Sequence, residues 1–267
     1  MRSVSILLMV ALYSLPCLGT SSEQAGETGF LNRTVEWEGV SYRYQVYVPV
    51  DFSAEKKWPV ILYLHGAGSG GEDGLKQTEE GLGPSIRLHS DRYPCLAVFP
   101  QSRGELYWSG RMISQALKAL QQTLSEFNGD SGRVYLIGAS MGGYGTWHTA
   151  ALHRGKFAAI VPICGGVVMP EGWMDTSIMS PEQAALVSAP DPYGEVAKRI
   201  GNTPVWAFHG EADQVIPVTE SRKAVAALKA AGGDVRYTEY PGVDHEWQMM
   251  YDDSELLPWL LKQSLKE

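Results

Sequence analysis

The amino-acid sequence predicts an α/β fold with a mostly parallel central sheet. Three observations carry that prediction. Short, uniformly apolar runs recur along the chain, as strands covered on both faces require. Helix-period patterns lie between them, and this alternation builds parallel sheets with helices on both faces. The first two strand-like runs are different: "RTVEWEG" and "SYRYQVYVP" alternate apolar and polar residues, as an N-terminal antiparallel strand pair does.

Each element follows in order. Arg2 precedes the apolar run "SILLMVALYSLPCL", which is too short for a comfortable membrane span. Cys17 and Gly19 are small residues at the −3 and −1 positions of a cleavage site. Residues 1–19 therefore read as a signal peptide and residues 20–267 as a single domain, secreted or periplasmic, with no membrane span in the mature protein. After the antiparallel pair come "WPVILYLHG", "CLAVFPQ", "VYLIGAS", "FAAIVPICGG", "PVWAFHG" and "VRYTEYPG", six runs expected as strands covered on both faces. Ile113, Leu117, Leu120, Leu124 and Phe127 recur at helical spacing and predict one amphipathic helix. "ESRKAVAALKAAGG" is rich in helix formers and stops at Gly232-Gly233. "ELLPWLLKQSLKE" is a closing helix in which Pro258 must sit in the first turn or introduce a kink. Residues 168–200 interrupt the rhythm. The segment is long for a strand-to-strand connection and carries Met169, Trp173, Met174 and Met179. It reads either as a lid or as a surface excursion packed on the body.

Composition excludes some functions. The chain has 267 residues with 22 Lys+Arg against 30 Asp+Glu, a formal net charge of −8. An acidic chain without long basic runs does not suit nucleic acid or an anionic membrane surface. Cleavage would leave Cys95 and Cys164, each in a different apolar run, so two buried free thiols are expected.

The chemistry starts at Gly138-Ala139-Ser140-Met141-Gly142, which fits G-x-S-x-G. The pentapeptide follows a β-run and opens a helix-like stretch. That setting makes Ser140 a candidate nucleophile on a sharp strand-to-helix turn, with small residues needed on either side. A serine hydroxyl needs a base, and the base needs an orienting carboxylate. The turn requires the chain order Ser, Asp or Glu, His. His245, in the loop "PGVDHEW", is the candidate base; His209 ends an apolar strand and reads as buried. Asp213, in "HGEADQVIP", is the candidate carboxylate, with Glu211 left open and Asp244 too close to its neighbour's ring to fold back. An oxyanion needs two N–H donors. Met141 follows the nucleophile, and "HGAGSGGEDG" offers Ala67 first and Gly68 next. Trp108, Trp147 and Trp247 lie near strand ends and are candidates to line a substrate pocket, or to pack.

Other patterns carry less. Gly66, Gly68 and Gly71, with Asp91 twenty positions on, match a dinucleotide fingerprint literally, but "EDGLKQTEEGLG" is a poor helix for a pyrophosphate. His65, His89, His148 and His153 read as packing or solvent-facing. No H-E-x-x-H or paired-cysteine spacing supports a metal, and no cofactor is called for. Asn32-Arg33-Thr34 fits a glycosylation sequon.

Taken together, "WPVILYLHGAGSGGEDG", "RVYLIGASMGGYGTW", "PVWAFHGEADQVIPV" and "VRYTEYPGVDHEW" resemble the secreted esterase branch of the α/β-hydrolases. That branch includes feruloyl-esterase-like, polyhydroxybutyrate-depolymerase-like and predicted-peptidase sequences, and is similar to the phospholipase/carboxylesterase group. The resemblance implies a Ser140–Asp213–His245 triad, an oxyanion hole at Met141 and Ala67, and hydrolysis of a small-molecule or polysaccharide-linked ester, without a cofactor. A peptidase on the same triad is the alternative, and a non-catalytic binding protein the remaining one. Two departures stand out: Asp244 occupies a position where such sequences usually have Gly, and one residue fewer separates His245 from Trp247.

Overall fold

The computed structural model describes residues 27–170, 172–173 and 176–265. The expected signal peptide, and Met174 of the insertion, lie outside the described residues.

Eight strands form one sheet: β1 (Gly29–Trp37), β2 (Val40–Val48), β3 (Trp58–Leu64), β4 (Leu96–Pro100), β5 (Gly129–Ala139), β6 (Ala159–Ile163), β7 (Val205–Gly210) and β8 (Val235–Tyr240). Their order is β1-β2-β4-β3-β5-β6-β7-β8. Strand β2 is antiparallel to both neighbours, and every other pairing is parallel. The β1–β2 hairpin turns through Glu38 and Gly39, at φ 49 and 74, the two left-handed residues that a tight hairpin of this twist needs.

Among the described residues eight α-helices surround the sheet: α1 (Leu82–Leu88), α2 (Gly110–Glu126), α3 (Met141–Leu152), α4 (Pro181–Val187), α5 (Pro192–Ile200), α6 (Thr219–Ala230), α7 (Gln248–Tyr251) and α8 (Leu256–Leu261). Successive residues of a strand face opposite sides, so the central strands feed two cores. Val60, Leu62 and Leu64 of β3 pack with α2, α3, α5 and α6, whereas Ile61 and Tyr63 pack with α1, α7 and α8. Helix α8 spans six residues, with Pro258 in its first turn, where its missing N–H costs no helical bond.

One strand departs from expectation. "VRYTEYPG" was expected to be covered on both faces, yet β8 is only partly buried, because it ends the sheet and pairs with β7 alone. The helical part of the 168–200 insertion packs on the body: Leu186, Val196, Ala197 and Ile200 are buried. Gln183 of α4 donates to His148 Nδ1 (3.0 Å) and accepts from the Gly110 N–H (3.2 Å), and Tyr193 of α5 donates to Glu220. Among the described residues no helix is long and apolar enough to cross a membrane.

Candidate active site

Ser140 is the single residue between β5 and α3, at φ 56 and ψ −119. A non-glycine residue there carries on the order of 1–3 kcal/mol of strain, which persists only where its surroundings over-determine it. They do so here. The Ser140 N–H donates to Ile163 O (2.9 Å), and its carbonyl accepts from Gly143 and Tyr144 (2.8 and 3.2 Å). The turn is tight enough that a Cβ on Gly138 would lie 2.3 Å from Gly142 O.

The loops after β7 and β8 bring the other two candidates to this turn. The Ser140 hydroxyl lies 3.0 Å from His245 Nε2, and His245 Nδ1 lies 2.7 Å from Asp213 Oδ2. Asp213 Oδ1 accepts from the Val215 and Ile216 N–H groups at 2.9 and 2.7 Å. Its Oδ2 also lies 3.2 Å from His209 Nε2. Burial alone would raise this carboxyl, but the bonds from His209, His245 and the Ile216 amide outweigh it and hold Asp213 well below the usual carboxylate range. An ionised carboxylate only accepts, so His245 Nδ1 carries the proton and Nε2 is the acceptor for the serine hydroxyl.

Met141 opens α3, and the first N–H groups of a helix have no partner within it. Ala67 opens a short 3-10 turn, Ala67–Ser69, directly after β3 and is exposed. The end of β3 packs closely on the start of α3: a Cβ on Gly142 would lie 2.9 Å from His65 O. Side chains brace this loop from beneath. His65 Nε2 accepts the Ser102 N–H (2.9 Å) and its Nδ1 faces Gly66 O (2.6 Å). Burial pushes His65 down to about 4, so it is a neutral strut. Gln101 donates to Ser69 O (3.1 Å) and accepts from the Gly74 N–H (2.7 Å), while Ser69 donates to Glu80 (2.7 Å).

Trp108 and Trp147 take the packing reading. Both are buried in the core, and the Trp108 indole donates to His65 O (2.9 Å). Trp247 is the one that reaches the site, edge-on to His245 with ring centroids 5.0 Å apart. Glu211 turns away and accepts the Gly242 N–H (3.1 Å). Asp244 Oδ1 accepts the N–H groups of Gln214 (2.8 Å) and His245 (2.7 Å). His209 is buried between Ser221 Oγ (2.7 Å) and Ile216 O (2.9 Å). Cys95 and Cys164 are buried free thiols, each pushed up to about 12 by burial. Cys164, His209 and Asp213 place one ligand atom each within 4.8 Å of one another. Asp213 and His209 already spend those atoms on hydrogen bonds, so the group is a polar core cluster rather than a metal cage.

Sequence reasoning passed over Gln101, gave His65 only as packing or solvent-facing, and set Asp244 aside as the triad carboxylate without finding its backbone partners. For His65 the local signal was its place between a strand end and a glycine-rich loop. Its partner Ser102 lies too far along the chain to be anticipated.

Comparison with known proteins follows the same lines. Residues 101–266 match the model of the prolyl oligopeptidase family. An uncharacterized secreted protein of Arthroderma benhamiae is 27% identical over 202 residues, covering 71% of this chain and 21% of its own. Dipeptidyl-peptidase 5 of Porphyromonas gingivalis is 26% identical over 223 residues, covering 75% of this chain and 32% of its own. The chain thus spans between about a fifth and a third of the length of these relatives. A thermostable esterase of known structure is 32% identical, with a TM-score of 0.71, over 88% of this chain and 63% of that one.

Proposed function

The chain belongs to the prolyl oligopeptidase family, hydrolases of the α/β-hydrolase fold, and on that footing we propose that it is a serine hydrolase cleaving carboxylic esters through an acyl-enzyme on Ser140. The observation that carries the reading is the continuous hydrogen-bond chain from Ser140 through His245 to Asp213, held on a strained turn. His245 Nε2 takes the hydroxyl proton as Ser140 Oγ attacks the ester carbonyl carbon. The Met141 and Ala67 N–H groups receive the oxyanion. The imidazolium, steadied by Asp213, gives its proton to the leaving alcohol oxygen as the C–O bond breaks. Water then repeats the attack on the acyl-enzyme, and Ser140 regains its proton.

Exposed apolar side chains on the segments beyond β6, β7 and β8 support an apolar or aromatic acyl group, with hydroxycinnamate esters, free or polysaccharide-linked, as the specific proposal. Val168, Trp173, Val215 and Met249 are exposed, and all four sit on segments that follow β6, β7 and β8 at the end of the sheet where Ser140 lies. Export is proposed with it, on the N-terminal apolar run and on the secreted relative. A peptidase is the second reading, favoured by the family match and by the dipeptidyl-peptidase relative.

Asp213→Asn should lower kcat by about 10³–10⁴-fold with the protein still folded, the scale of such a change in another serine hydrolase. Asparagine keeps an acceptor for Val215 and Ile216 but presents N–H₂ towards His245, which must then flip its tautomer and lose the free Nε2. Steady-state kinetics and a melting curve check both halves.

The decisive experiment treats the native protein with a fluorophosphonate probe and then with a panel of feruloyl, short-chain and long-chain esters and peptide amides. Stoichiometric labelling mapped to the Ser140 peptide, with ester turnover exceeding amide turnover, is expected. No labelling of the folded protein would sink the hydrolase reading, and faster amide cleavage would replace the esterase with the peptidase.

A further inference from the structure

The loops that carry Asp213 and His245 are tied together rung by rung. Strands β7 and β8 end in register at Gly210 and Tyr240. Beyond them the Glu211 N–H donates to Tyr240 O (2.9 Å) and the Ala212 N–H to Val243 O (2.9 Å). After Ala212 the backbone rungs give way to side chains. Asp213 and His245 form the next link, and Gln214 lies just past it. There Asp244 takes over: one carboxylate oxygen accepts the Gln214 N–H at 2.8 Å and the His245 N–H at 2.7 Å. These two amides flank the Asp213–His245 pair, one from each loop. Bonds to an ionised carboxylate are the stronger kind, and a single oxygen shared between two donors fixes their separation.

We infer that Asp244 is a positioning residue, which clamps the Asp213 loop to the His245 loop and sets the geometry of the Asp213–His245 hydrogen bond. Its kinetic consequence rests on the serine-hydrolase reading above; its structural consequence does not. A glycine at this position would offer no side-chain acceptor, so the clamp depends on the Asp244 carboxylate. It also accounts for a carboxylate beside His245 that takes no part in proton transfer: its oxygen faces backbone amides, not the imidazole.

The test compares the wild type with Asp244→Ala, which removes the acceptor, and Asp244→Asn, which keeps an Oδ1 acceptor without the charge. Asp244 is exposed, so all three should fold, and melting curves count the folded fraction. The first readout is the downfield proton resonance of the His245 Nδ1–H held against Asp213, recorded without substrate. It should be sharp in the wild type and Asp244→Asn and broadened or lost in Asp244→Ala. The second is hydrolysis of p-nitrophenyl acetate. Asp244→Ala should lower kcat about tenfold or more, since small displacements of aligned groups are costly, with KM within about twofold, and Asp244→Asn should recover most of the loss. An unchanged resonance in Asp244→Ala, or equal losses in both variants, overturns the clamp. If the resonance behaves as expected while the wild type neither hydrolyses the ester nor takes up a fluorophosphonate, the clamp stands and the hydrolase reading falls.

Discussion

Ser140→Ala should abolish fluorophosphonate labelling and cut ester turnover by at least about 10⁴-fold, towards the loss of about 10⁶ known for removal of such a nucleophile. Stability should stay within about 1 kcal/mol of the wild type. The two halves follow from different features of the same residue. The Ser140 hydroxyl has His245 Nε2 as its side-chain partner at 3.0 Å, and His245 remains partly exposed. Removing the hydroxyl therefore orphans no deeply buried group. Alanine keeps the Cβ, so φ 56 is neither relieved nor worsened. What disappears is the oxygen proposed to form the acyl-enzyme. The Met141 and Ala67 amides stay in place, so a residual rate above water of about 10³-fold should survive. Gel fluorescence, steady-state turnover and a melting curve read the three quantities. Labelling of the alanine variant at the wild-type level would move the nucleophile elsewhere.

The candidate site was legible where chemistry imposes an order along the chain. Ser140 needed a strand before it and a helix after it, Asp213 had to follow one strand, and His245 the next. Each condition can be read from local runs of residues. The choice between Asp213 and Glu211 could not be read so directly, because two residues apart on one loop they differ only in where the loop points them. The structure sends Glu211 to the Gly242 amide. The choice between pocket and packing for the tryptophans was left open for a general reason. A strand end is near both the site and the core, and a side chain as large as Trp108 or Trp147 gains more by full burial than a cleft provides. Strand β8 was overread: Arg236, Thr238 and Glu239 already make it more polar than the inner strands, as suits the strand that ends the sheet. The braces beneath the glycine loop, His65 to Ser102 and Gln101 to Ser69, link segments more than thirty residues apart. Such contacts are set by sheet register, and no local pattern announces them.

Gly142→Ala carries the largest expected effect on the fold. A Cβ there would lie 1.8 Å from Leu64 O, 2.6 Å from Leu64 C and 2.9 Å from His65 O. The obstacle is backbone, at the end of a fully buried strand, so no rotamer change relieves it. Ordinary overpacking costs about 1–3 kcal/mol through side-chain adjustment. This contact demands that β3 and α3 part, so more than about 3 kcal/mol is expected, out of a typical total of about 5–15. For a chain of this size that corresponds to a fall in melting temperature of at least about 6–12 °C, or to no soluble protein. Gly68→Ala is the matched control: it lies in the adjacent loop, has nothing within 4 Å of its Cβ and needs no left-handed φ, so it should melt within a few degrees of the wild type. The same displacement has a second consequence. Separating β3 from α3 moves the loop after β3, which carries Ala67, away from Met141, which opens α3. Any Gly142→Ala protein that does fold should therefore turn over ester more slowly per folded molecule. A variant that melts with the wild type would mean that the strand and helix do not meet as closely as this backbone requires. On the proposed mechanism the packing and chemical roles of this glycine are one contact, because the close approach that excludes a side chain also sets where the loop after β3 sits relative to the start of α3.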